Sequence, residues 1–253
     1  MKLARLFARR NLKEMLRDKL GCFFFLGFPL ALLLMFRLID SYIPAEGIDM
    51  FAMPKLLPGI VVFAYTFVML YTALLVAKDK TTAFLLRLYA SPMRTADYII
   101  GYAVPGVVVG ILQTAVCFIV ANLLLWIDKE SLLSFAIFVK MMIFTLPLLL
   151  VFCFLGIFFG ACLSDKAAPG IASVFISLTG VLSGAWMPLE TMGELERFAS
   201  YLPFYPAVRI GRHLTFGTPQ FPGRDLFVLL GYMVVIFVLA LIAFGRMSKR
   251  DKK

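Results

Sequence analysis

Six stretches of about 20 or more mostly apolar residues, at 20–39, 56–77, 99–127, 135–163, 169–187 and 226–245, constrain this chain more than any other feature. A hydrocarbon layer about 30 Å thick needs roughly 20 helical residues to cross it, since only a helix pairs its own backbone polar groups there. Of 253 residues, 62% are hydrophobic and 16% charged, a balance foreign to water-soluble domains of this length. The fold class expected is an all-α polytopic membrane protein forming a single transmembrane domain over 1–253. It comprises six transmembrane helices, an N-terminal surface helix over 1–19, a cytoplasmic helix in the loop 78–98 and an extracellular helical hairpin over 188–224.

Charge sets the orientation. With an even number of spans both termini share a side, and that side holds 17 of the 25 Lys and Arg residues against 8 on the other. By the positive-inside rule both termini are cytoplasmic. The net charge of +10 sits at the ends and in loops beside apolar spans, which points to anionic lipid headgroups rather than nucleic acid. In residues 1–19, Lys2, Arg5, Arg9, Arg10, Lys13, Arg17 and Lys19 alternate with Leu3, Leu6, Phe7, Leu12, Met15 and Leu16, the composition of an interfacial helix. On a helical wheel the apolar side before Arg10 does not continue after Asn11, so a bend or two short helices is expected there. The first span lacks a good small-residue cleavage site and is read as uncleaved.

The chemistry is mostly an absence. None of the 18 glycines precedes a lysine, so no GxxxxGK[ST] phosphate loop exists. His213 is the single histidine, which excludes HExxH zinc chemistry. Cys22, Cys117, Cys153 and Cys162 lie inside apolar runs without CxxC spacing and read as small core residues. No span carries an ionisable residue at its centre, where ion-coupled carriers keep them. Arg37 and Lys140 lie near outer span ends, and Gln113, Asn122 and Thr145 are the inner polar groups. Asp40, Asp79, Asp97, Asp165 and Asp225 do not cluster at the spacing a membrane enzyme needs. A route through the membrane without an engine requires a partner that supplies one. The pairs Gly106/Gly110, Gly156/Gly160 and Gly180/Gly184 read as close helix packing rather than a subunit seam. Pro105 and Pro147 are candidate break points in the two longest stretches.

Two segments between spans are patterned. In the loop 78–98, Phe84, Leu85, Leu88 and Tyr89 fall at helical spacing and Pro92 closes the run. In 188–224, Met192, Leu195, Phe198, Ala199 and Leu202 share one helical face. Pro203 and Pro206 then interrupt before a second apolar stretch at 207–214, giving two short helices that dip into the outer leaflet.

Three passages carry a family resemblance. The opening RRNLKEMLRDKLGCFFFLGFPLALLLMF, the loop LLRLYASPMRTADYIIGY and the late GAWMPLETMGELERFASYLPFYPAVR resemble, in order and spacing, the permease subunits of type-2 ABC exporters, the ABC-2 transporter family. The resemblance covers nearly the whole chain. Where many members carry a Gly and an acidic residue early in the loop, this chain has Ala83 and Leu86. The resemblance implies a surface gripped by an ABC ATPase, made of Phe84, Leu85, Arg87, Leu88, Tyr89, Ser91, Pro92 and Met93, with Arg9, Arg10, Glu14 and Arg17 on the N-terminal surface helix. It implies an outer gate shaped by Met187, Pro188, Pro203 and Pro206, while span faces rich in Phe, Met and Gly, at Phe28, Phe175 and Met187, suit a translocation path for apolar cargo. It further implies alternating access in a homo- or heterodimer of permeases. The chain would have no catalytic groups, metal or cofactor of its own, ATP and Mg residing on the partner ATPase. The expected setting is a bacterial cell membrane and the expected cargo a lipophilic or amphipathic drug, antibiotic peptide or lipid, as in drug efflux members. The alternatives are a polysaccharide or glycolipid exporter permease and a six-span secondary carrier or channel.

Overall fold

The computed structural model describes residues 2–42, 51–82, 84, 93–217 and 222–251. Helices connected by turns make up these residues, and no strand occurs among them. We number the helices α1 (Lys2–Arg17), α2 (Lys19–Tyr42), α3 (Met53–Thr81), α4 (Thr95–Ile127), α5 (Phe135–Cys162), α6 (Ala168–Leu182), α7 (Glu194–Ala199), α8 (Phe204–Phe216) and α9 (Gly223–Asp251). Five of them, α2, α3, α4, α5 and α9, are long and apolar enough to cross a membrane, and α6 is a shorter apolar helix. The fold is that of a multi-pass membrane protein of about six spans.

Local chemistry explains the element ends. The Asp18 side chain accepts from the Leu20 N–H at 3.1 Å and so starts α2 directly after α1. Within α2, Phe23–Gly27 forms one π turn just ahead of Pro29, a residue that cannot donate to the preceding turn. Asp97 accepts from the Arg94 N–H at 3.0 Å to open α4, and Ser134 caps α5. Gly217, at φ +77°, ends α8 by donating to the His213 carbonyl.

Helix α3 is the axis: most of its apolar length is buried, whereas most of α9 is not, and it packs on α5, α4, α6 and α8. Glycines set how closely its neighbours approach. A Cβ at Gly156 would lie 2.6 Å from the Met69 carbonyl oxygen, and one at Gly160 2.7 Å from that of Ala73. Gly106 and Gly110 face Cys153 and Leu149 of α5 in the same way. The first two glycine pairs are therefore spent on packing within the chain. In the third, Gly180 faces Trp186 while Gly184, at φ +68°, turns the chain after α6.

Three expectations need correction. Helix α1 is unbroken through Arg10 and Asn11, because its buried stripe of Ala4, Phe7, Ala8, Asn11 and Met15 includes a polar residue whose amide is satisfied. A hydrophobic wheel cannot see that. Helices α4 and α5 likewise continue unbroken past Pro105 and Pro147. The apolar stretch expected at 169–187 is helical only to Leu182; beyond it Gly184 turns and Ala185 presses on Gly59, whose added Cβ would meet the Ala185 Cα at 2.6 Å.

Candidate functional site

The end of the bundle that holds α1 concentrates the polar chemistry. Asn11 donates its amide to the Gly101 carbonyl of α4 at 3.0 Å, and Gly101 leaves room for the Phe7 ring, which a Cβ would strike at 2.2 Å. Next to Asn11, Arg10 forks onto Asp79 of α3 with bonds of 2.7 and 2.9 Å. The Tyr102 hydroxyl donates to the same carboxylate at 2.9 Å. Asp79 is only 1% exposed, so these bonds offset a desolvation that would otherwise exclude the charge. Glu14 accepts from Arg10 and from Lys78 at 2.8 and 2.7 Å. Burial by itself would lower the Arg10 pKa, but the hydrogen bonds and charge of Asp79 outweigh it and hold the guanidinium above its ordinary value.

Beyond the end of α3, the loop enters this cluster through Phe84. The Phe84 ring lies 4.3 Å from the Arg10 guanidinium carbon and stacks on Phe7 at 6.2 Å, while Phe7 meets Tyr102 edge-on at 4.8 Å. Phe244 of α9 stacks on Tyr98 of α4 at 5.5 Å. The start of the loop thus touches α1, which is tied to α3 and α4, and α4 in turn meets α9. Met93 is half-buried and packs on the core. Leu85, Arg87, Leu88, Tyr89, Ser91 and Pro92 lie outside the described residues. Of the expected α1 residues, Arg10 and Glu14 join the cluster, whereas Arg9 and Arg17 are exposed.

Between α2 and α3 runs an aromatic column that includes Phe28. Phe24 and Phe28 pack on Phe67 at 5.7 and 5.3 Å, Phe67 on Phe63 at 5.6 Å, and Phe63 and Phe36 on Trp186 at 4.8 and 5.6 Å. Met187 and Pro188 follow Trp186 directly and are half-buried. Phe175 lies elsewhere, packed on Phe159 of α5 at 5.0 Å. Deeper in the bundle the Tyr65 hydroxyl sits 2.8 Å from that of Thr114 and 3.1 Å from that of Thr145. Gln113 donates to the Ala64 carbonyl at 3.2 Å, while its own oxygen has no partner among the described residues.

At the opposite end, α7 and α8 form the hairpin. Pro203 precedes the first helical residue of α8 and Pro206 lies in its first turn, where no N–H is needed; both are buried. The face expected to be shared is divided: Leu195 and Ala199 pack with Leu189 and Tyr205, while Met192 and Phe198 are exposed. Helix α8 is held by charge at both edges. Arg209 forks onto the buried Asp225 of α9, its Nε bond measuring 2.7 Å, and Arg212 donates to the Gly184 and Lys55 carbonyls at 2.7 and 3.2 Å. Burial pulls the Arg212 pKa below its ordinary value, with Glu190 at 3.5 Å opposing the shift.

A family model described as ABC-2 type transporter matches residues 3–216, from the second residue of α1 to the last of α8. The chain belongs to the ABC-2 type transporter family. No curated protein matches it. This ABC-2 chain is a membrane transport subunit and not itself catalytic. In the two clusters already described, Asp79 is bonded to Arg10 of α1 and Asp225 to Arg209 of α8, so each buried acid ties two helices together. Sequence reasoning named Arg10 and Glu14 but missed Asn11, Lys78, Asp79, Tyr102, Arg209, Arg212 and Asp225. The available signal was an acid directly past an apolar run, as at Asp79, since a carboxylate at that depth needs a dedicated cation.

Proposed function

We propose that the chain is the permease half of an ATP-driven exporter, working with a separate ABC ATPase and a second permease copy to move lipophilic or amphipathic cargo out of the cytoplasm or inner leaflet. One observation carries the coupling assignment: Phe84, at the head of the 78–98 loop, is held against Arg10 and Phe7, while Arg10 is locked to Asp79. A push on that loop reaches α1, α3 and α4 together as one packed unit, the requirement for a lever that changes access across the membrane. The aromatic column around Phe28 and Phe67, with no charged group in it, supports an apolar cargo. The two ends of the column differ in setting, one near α1 and one at Trp186, so a shift of α2 against α3 would alter its accessibility to the two sides.

The test uses the chain with its co-expressed ATPase. Leu88→Asp combined with Arg87→Glu is expected to leave the permease inserted while abolishing ATPase co-purification. Phe84→Ala is expected to retain the bound ATPase and lose most cargo-stimulated ATP hydrolysis, the signature of broken transmission. Wild-type stoichiometry and transport in the Leu88 and Arg87 variant would remove the loop from the coupling role.

A further inference from the structure

The strongest unused feature is a crevice of about 560 Å³ between α1 and α4, lined by Arg5, Leu6, Ala8, Arg9, Leu12 and Val104. Arg5 and Arg9 stand one helical turn apart and are exposed, and neither makes an ion pair or side-chain hydrogen bond among the described residues. Their neighbours differ: Arg10 is committed to Asp79 and Glu14. The larger cavity of about 750 Å³ beside α9 also holds two cations, but Lys80 there already donates to the Gly160, Ala161 and Leu163 carbonyls.

Below the two arginines the floor of the crevice continues as an exposed apolar ridge on α4: Ile100, Val104, Val108, Ile111, Ile119 and Trp126. Spaced three, four, seven or eight residues apart, they share a face. From Val104 to Trp126 the helix rises about 33 Å at 1.5 Å per residue, close to the roughly 30 Å of a hydrocarbon core. With Trp126 at one membrane interface, as tryptophans prefer, Val104 falls at the other. Arg5 and Arg9 then stand at headgroup level directly above a ridge that only acyl chains would solvate.

We propose that this crevice is a binding site for one anionic phospholipid, its phosphate clasped by Arg5 and Arg9 and one acyl chain lying along Val104 and Val108. Two guanidiniums one turn apart present forked donors that suit a phosphate monoanion, and the apolar floor distinguishes a lipid from a soluble anion. The site rests on the reading of α4 as membrane-spanning and not on the ATPase partnership. Its occupant is a lipid of the leaflet on the α1 side, which the charge bias makes cytoplasmic.

The test is fluorescence quenching in the full chain carrying Val108→Trp, reconstituted in phosphatidylcholine vesicles with increasing fractions of brominated phosphatidylglycerol or brominated phosphatidylcholine. The signal is the difference from the parent protein, whose own tryptophans, Trp126 and Trp186, lie toward the far end. The expected preference for the anionic lipid is roughly tenfold. Arg5→Gln with Arg9→Gln should reduce it to near parity, and Arg5→Lys with Arg9→Lys should keep most of it, which separates lost charge from lost folding. Equal affinity for both lipids, or a preference that survives the glutamine pair, would overturn the site. Loss of the preference on adding excess soluble glycerol phosphate would also overturn it, by making it a plain anion site. No quenching by either lipid would instead refute the membrane-spanning reading of α4.

Discussion

A proline inside a helix leaves the carbonyl four residues earlier without its N–H donor, and in a bilayer core no water replaces it. In this chain two such carbonyls are met by side chains from other helices. Pro105 frees the Gly101 carbonyl, and Asn11 of α1 donates to it at 3.0 Å. Pro58 frees the Pro54 carbonyl, and the Thr215 hydroxyl of α8 lies closest to that oxygen. Each proline therefore creates an acceptor that locates a second helix, which explains why α4 continues where a break was expected and why a buried asparagine interrupts the apolar stripe of α1. Asn11→Leu should cost about 1–3 kcal/mol, the penalty of a stranded buried acceptor. In a Pro105→Ala background the restored backbone N–H supplies the Gly101 carbonyl, so the same substitution should cost at least about 1 kcal/mol less. Unfolding of the four proteins in detergent gives the cycle, and strictly additive losses would show that Asn11 does not compensate for the proline.

At the scale of elements, α1 is a docked helix with two charged fastenings to α3, Arg10 on Asp79 and Glu14 on Lys78, and one polar one at Asn11. Removing the arginine alone strands a carboxylate that is 1% exposed. Arg10→Met should therefore destabilise by roughly 2–4 kcal/mol, below the full cost of a wholly buried pair because Arg10 reaches solvent. Arg10→Met with Asp79→Leu should recover more than half of that loss yet still impair transport, since the Phe84 ring loses its cation. Thermal unfolding and vesicle export read the two effects separately, and a double variant less stable than Arg10→Met would contradict the account. The elements themselves were legible wherever apolar length decided them: α3 and α4 cover the stretches read at 56–77 and 99–127, and α5 ends one residue short of the stretch read at 135–163. The fastening of Arg10 on Asp79 was only half legible: Asp79 stands out as an acid directly past an apolar run, but its partner lies 69 positions away and nothing local pairs the two. The aromatic column was half legible. Phe28 was named for its composition, but Phe63, Phe67 and Trp186 gain their roles only from the crossing of α2, α3 and the turn after α6.

On the scale of the whole molecule, charge and geometry divide the chain into the same two ends. Arg10, Glu14, Lys78 and Asp79 tie α1 to α3 at one end, where Phe244 also brings the last helix onto Tyr98. Arg37 bridges Asp40 and Asp128, and Arg209 binds Asp225, at the other. Ion pairs thus form within an end, and from the 17-to-8 excess of Lys and Arg on the α1 side we propose, by the positive-inside rule, that this end faces the cytoplasm. A native thiol can report this orientation without redesign. Cys162, at the last turn of α5, is exposed on the α1 end beside Lys80, while Cys117 and Cys153 are buried. In intact cells a membrane-impermeant maleimide should leave the native chain unlabelled and label it after permeabilisation. Glu130→Cys, in the exposed turn between α4 and α5, should be labelled from outside without permeabilisation. Labelling of the native chain in intact cells, with Glu130→Cys adding nothing there, would invert the molecule. The loop carrying Phe84 would then face away from any cytoplasmic ATPase, so the orientation experiment also decides whether the coupling assignment can stand.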